Sequence, residues 1–136
     1  MEQSTRFLIL SLEGEHYAFR ITSLLEITVP RGIQKDAKLS EIFEGKMNHR
    51  NKMIPVVNLK KILKLSGPPG AVLLVMQSSK GILGLLADSV IELLDSTQKP
   101  FPMPPGVVDP SLPYFAGVLK DKQGLVLLLS EDGLWP

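Results

Sequence analysis

Apolar residues in this chain cluster in segments of five to seven, such as RFLILSL (6–12), AVLLVM (71–76), GILGLLA (81–87) and LVLLL (125–129), and Gly, Pro, Asn or Asp recur between them. An amphipathic helix needs its apolar stripe sustained over ten or more residues. Runs this short, punctuated by turn formers, predict strands instead. With 44% hydrophobic residues but only 6% aromatics, the core must be built from Leu, Ile and Val. That apolar share, with a net charge of +1, excludes a disordered chain.

Strand by strand, 6–12 is apolar on both pleat faces and predicts burial on both sides. Glu13-Gly14-Glu15 signals a turn, with HYAFRI (16–21) as the returning strand and LLEITV (24–29) as the next, closed by Pro30 and Gly32. A helical turn is expected around 39–43. Residues 46–49 and 52–59 read as a hairpin turning at Arg50-Asn51, since Asn tolerates positive φ. Pro55 removes a ladder donor, so that strand is expected at an edge or with a bulge. Residues 60–65 predict a short helix.

Ser66-Gly67-Pro68-Pro69-Gly70 is the clearest break in the chain, and beyond it the strand pattern begins again. Residues 88–95 suit a helical face or a strand; the neighbouring turn spacing favours a strand. Six prolines between 99 and 113 predict an extended connector strapped over a sheet. A final hairpin is expected over 114–119 and 125–129. About ten short strands imply an all-β sandwich or barrel. The break predicts two small units sharing a core within one domain, because about 65 residues alone are marginal.

Charge is uneven: residues 31–64 hold nine Lys and Arg against three acids, whereas 65–136 hold four against seven. This is either ordinary solvation or a means of steering different partners to opposite ends. Zero cysteines exclude a disulfide scaffold and a cysteine nucleophile. The two histidines, His16 and His49, lie in unrelated settings, and no nucleophile elbow, phosphate loop or metalloprotease motif occurs. Neither catalysis nor a cofactor or metal is therefore expected. The apolar runs are too short for a membrane span and the first residues lack a signal-peptide pattern, so a soluble, cytoplasmic protein is expected.

Read whole, the chain resembles the CheW family of bacterial chemotaxis coupling proteins. The resemblance rests on Gly14-Glu15-His16-Tyr17-Ala18, Leu24-Leu25-Glu26-Ile27, the stretch from Gly45 through Asn48, Arg50, Ile54, Pro55 and Val56 to Leu59, and Gly84-Leu85-Leu86-Ala87-Asp88-Ser89-Val90. A proline-containing connector, Tyr114 with Gly117, and the strand 125–129 follow in order. Departures are Asn51 for the usual glycine, Asn58 for the usual acid, Ser130 where an acid is common, and His49 in a normally apolar slot.

The resemblance implies two five-stranded Src-homology-3-like barrels. The first is expected over about 14–65 and the second over about 71–129, with strand 6–12 and segment 130–136 crossing between them. It also implies a scaffold with no catalysis, joining the cytoplasmic tips of methyl-accepting chemoreceptors to the regulatory domain of a CheA-type histidine kinase. Other CheW-like domains are further partners; neither nucleic acid nor membrane insertion is implied, though recruitment to membrane-attached receptor arrays is. Carried over by motif, Glu26 and Arg50 form the charged pair expected at a partner surface, with Leu24, Gly45, Asn48, Val72, Leu73 and Gly84 as further candidates.

Each has a plainer reading. Glu26 can face water, Arg50 can be a turn arginine, and Leu24, Val72 and Leu73 can be core. Gly45 can serve a turn and Gly84 a close strand approach. His49 reads as a satisfied or solvated histidine, and Asp88 as a turn anchor. The alternative function is a small-barrel nucleic-acid binder using the basic 31–64 region, where Phe43 is the only aromatic available for stacking.

Overall fold

A computed structural model describes residues 5–96, 100, 114–121 and 124–134. Among these described residues, ten strands carry the fold: β1 (Thr5–Leu12), β2 (Glu15–Arg20), β3 (Leu24–Thr28), β4 (Phe43–His49), β5 (Lys52–Asn58), β6 (Val72–Gln77), β7 (Ile82–Ala87), β8 (Ser89–Ser96), β9 (Phe115–Asp121) and β10 (Gly124–Leu129). One short helix, α1 (Leu59–Ile62), follows β5. The proline-rich connector falls almost wholly outside the described residues, and a single 3-10 turn, Asp132–Leu134, follows β10.

The strands form two five-stranded sheets, one in the order β8-β1-β2-β10-β9 and one in the order β3-β6-β7-β5-β4. Each repeats the same pairing scheme. An antiparallel triplet is joined by one parallel contact, β2 to β10 or β7 to β5, to an antiparallel hairpin. The break at 66–70 therefore does separate two equivalent five-strand halves, β1–β5 and β6–β10.

The halves are exchanged rather than stacked, which corrects the expected barrel boundaries of 14–65 and 71–129. The sheet holding the N-terminal hairpin takes its other three strands from beyond Asp88, and the central sheet spans β3 to β7. Each half begins with a hairpin whose apolar residues line both faces, and such a hairpin is satisfied by strands on either side irrespective of where they lie in the chain.

Burial follows this exchange. Leu8, Leu10 and Leu12 of β1 and Leu74 and Met76 of β6 meet in one core between the sheets, with Phe19, Leu83 and Leu85. The alternate residues turn the other way. Phe7 and Ile9 join Ala18, Leu119, Val126 and Leu128, while Leu73 and Val75 join Met47, Ile54, Val56 and Leu86. A sheet that gathers its own second face into a cluster must curl, as a small barrel does.

Local chemistry explains the details. Glu13-Gly14 and Arg50-Asn51 are two-residue turns with positive φ at both positions, the pattern that matches strand twist. Pro55 faces Lys46, whose own N–H and C=O are both bonded to Gln34, and pairing with β7 begins only at Val56. The missing proline donor thus falls where no ladder bond is made, although β5 is not an edge strand. Around 39–43 the chain makes two isolated turns, Asp36 to Leu39 and Ser40 to Phe43, instead of the expected helical turn. Asp36 captures the Lys38 N–H with its own carboxylate, a competing local bond.

Candidate interaction site

β3 and β4 are the two outermost strands of the central sheet. In a flat sheet they would stand four strand spacings apart, about 19 Å. Yet Nε2 of His49, the last residue of β4, lies 3.1 Å from Oε2 of Glu26 on β3. The sheet curls until its edges meet, and Glu26 stitches the seam. Arg50, in the turn after β4, completes the cluster with a guanidinium nitrogen 3.6 Å from Oε1 of Glu26.

This seam is a cleft of about 430 Å³, lined by Leu25, Glu26, His49, Arg50, Lys52, Ile54 and Ile82. Glu26 is only part-exposed, and its Oε2 is buried without a hydrogen bond although the His49 ring lies beside it. The Arg50 side chain is 78% exposed. Leu25 of β3, which lines the cleft, leaves an apolar side chain in solvent, as do Ile27 on the same strand, Val29 just after it and Met53 of β5. An apolar stripe beside an oriented charge pair supplies both grip and register for a protein partner.

The remaining expected residues separate cleanly. Asn48 is exposed and caps the turn by accepting the Asn51 N–H at 3.1 Å. That bond also explains how Asn51 stands in for glycine at φ 67°. Leu24 and Val72 are half-buried against the shared core, and Leu73 is wholly buried within the central sheet. Gly45, at φ 145°, lets the chain pass so close that a Cβ would sit 2.1 Å from the Gln34 carbonyl oxygen. At Gly84 a Cβ would meet Leu73 Cδ1 at 2.9 Å. In this structure Leu73, Gly45 and Gly84 pack the sheet rather than present a surface. Missing from the sequence reading was His49's contact with Glu26; the pairing of opposite sheet edges leaves no local signal.

A second charge cluster lies at the junction of the sheets. Lys60 on α1 is 1% exposed, and its ammonium meets Glu13 Oε1 at 2.5 Å and Asp88 Oδ1 at 2.8 Å. Asp88 Oδ2 also accepts the Glu13 N–H at 2.8 Å, so Asp88 anchors the β1–β2 turn where the chain crosses between sheets. Burial would lower the Lys60 pKa, but the bonds and charges of Asp88 and Glu13 outweigh it and raise it. Burial likewise works to raise Asp88, and Lys60 with the Glu13 N–H overcomes it, holding the carboxyl below its ordinary value.

At the entry to α1, Asn58 accepts the Lys60 N–H and donates to Glu44 at 2.7 Å. An acid at position 58 could not make that second bond while ionised. Part of the basic balance of 31–64 is answered within the fold, while Arg31, Lys35, Lys38, Lys52 and Lys64 are exposed. Lys46 pairs with Asp36 at 3.1 Å, Lys61 with Glu44 at 3.3 Å, and Lys60 is buried. Among the described residues no three His, Asp or Glu side chains gather in a metal-binding group, and no helix is long and apolar enough to cross a membrane.

A further cleft of about 610 Å³ lies between the loop after β3 and the 66–70 break, lined chiefly by Pro30, Ile33, Pro68, Pro69, Ala71 and Leu86. No curated protein matches the chain. The scaffolding protein TtCheW from Thermoanaerobacter tengcongensis has a similar structure, with a TM-score of 0.82 at 23% identity over 94% of this chain and 90% of that one. That likeness establishes the fold of paired small barrels. The CheW-like domain model matches residues 6–135, nearly the full length, and the chain belongs to the CheW-like domain family.

Proposed function

We propose that this protein is a non-catalytic adaptor that couples the cytoplasmic tips of chemoreceptors to the regulatory domain of a CheA-type histidine kinase. The observation that carries this reading is the meeting of Glu26 and Arg50 at the seam of the central sheet, beside the apolar stripe of β3. Membership of the CheW-like family supports it. The kinase domain is assigned to the Glu26–Arg50 cleft. The larger apolar cleft bordered by Pro30, Ile33 and Leu86 offers a separate face for a receptor helical hairpin. Each contact alone is modest, and repetition of the adaptor in receptor arrays multiplies it. Recruitment to such arrays then places the protein at the inner face of the membrane without insertion.

Isothermal titration with a receptor cytoplasmic fragment and with the kinase regulatory domain tests the proposal. Both should bind, and Arg50→Glu should weaken kinase binding by about threefold or more. If neither partner binds at about 50 µM, the adaptor reading fails.

A further inference from the structure

His49 stands where the family motif carries an apolar residue, and the structure gives that change a consequence. The imidazole is largely buried, at 16% side-chain exposure, with Nε2 3.1 Å from Glu26 Oε2. That oxygen is buried and makes no hydrogen bond. The other oxygen, Oε1, faces Arg50 at 3.6 Å. One carboxylate therefore lies between two groups that can each carry positive charge, one on each oxygen.

We propose that His49 is a positioning residue whose protonation draws Glu26 away from Arg50, freeing the guanidinium for an anionic group on the partner. With the imidazole neutral, the ring offers Oε2 at most an uncharged N–H, and the negative charge of Glu26 is answered by Arg50 alone. A buried carboxylate oxygen without a partner favours a cation beside it. Once the imidazole is charged, it neutralises Glu26 at close range and relaxes the longer pairing with Arg50. The charged groups lining this cleft are Glu26 from β3 with Arg50 and Lys52 from the β4–β5 hairpin; β7 contributes Ile82, which is neutral. Glu26 attracts the imidazolium, and the two cations oppose it. An apolar side chain at position 49 would leave the Glu26–Arg50 pair indifferent to pH in this range.

The part of this inference that concerns a partner rests on the adaptor reading; the coupling of His49 to Glu26 does not. Its test therefore has two readouts. In the free protein, the side-chain carboxyl carbon of Glu26 is followed by NMR between about pH 8 and about pH 5. The wild type should show an inflection as the imidazole gains its proton, and His49→Leu should abolish it. A flat Glu26 signal in the wild type, or an inflection that survives His49→Leu, overturns the proposal. In the second readout, kinase-domain binding should tighten about two- to fivefold on acidification in the wild type relative to His49→Leu. Equal pH dependence in the two proteins overturns the release of Arg50. An NMR inflection accompanied by no binding at any pH supports the coupling and counts against the adaptor reading instead.

Discussion

Two hairpins in this molecule turn the same way and do opposite work. Glu13 and Arg50 each open a two-residue turn, at φ 51° and φ 50° respectively. Glu13 sends its charge inward to Lys60, which is sealed from solvent between the sheets. Arg50 sends its charge outward, touching Glu26 loosely from solvent. Backbone geometry is the same, so what separates the structural lock from the proposed interaction site is the burial of the partner. A buried ammonium has no substitute for its carboxylates, whereas an exposed guanidinium has water.

The sharpest way to break this contrast is Asp88→Ala. It leaves Lys60 buried with half its partners and strips the acceptor from the Glu13 N–H. Chemical denaturation should show a loss of about 3–5 kcal/mol. A loss below about 1 kcal/mol would mean that Lys60 reaches water, and the two clusters would differ only in degree.

Gly45→Ala should rank next. A methyl group there meets the Gln34 backbone in a φ region that L residues avoid, costing about 2–3 kcal/mol. The expected signature is lowered thermal stability with little change in partner affinity once the protein is folded, the reverse of a surface residue.

Acid sharpens the same comparison. Asp88 is held below its ordinary value, so the folded chain takes up this proton less readily than the unfolded chain. Its contribution is complete above about pH 4, near the unfolded carboxyl value, and disappears as pH falls through the depressed folded value. Asp36, bonded to the Lys38 N–H and to Lys46, and Glu44 are lowered as well and act in the same direction. The stability gap between wild type and Asp88→Asn should therefore narrow as pH drops from about 5 to about 3. A gap that widens would reverse the assignment.

Arg50→Glu should change stability least, within about 0.5 kcal/mol by thermal unfolding. If the protein instead unfolds, Arg50 belongs with Glu13 as part of the lock.

How much of this could be read from the chain depended on how local the cause was. The strands, their turns and the break at 66–70 follow from neighbours in sequence, and Asn at position 51 marks its turn because few residues tolerate that φ. The exchange of halves left no such trace. Turn residues tell where a strand stops, not which strand it pairs with, and both hairpins are apolar on each face. Glu26 and Arg50 came from resemblance to a motif; periodicity alone would have left Glu26 pointing at water. His49 was legible only as a departure, because its contact spans the two edges of a sheet whose curl no local pattern encodes. Leu73, carried over from the motif and equally readable as core, sits in the packed interior.

The exchanged halves also set an order of events at the ribosome. Every strand of the central sheet has been made once residue 87 emerges, whereas β1 and β2 must wait for β10 before their sheet is complete. Throughout that interval the first hairpin carries Phe7 to Leu12 with only part of their eventual cover. Nascent chains should therefore be most vulnerable to self-association, and most attractive to chaperones, through the β1–β2 hairpin.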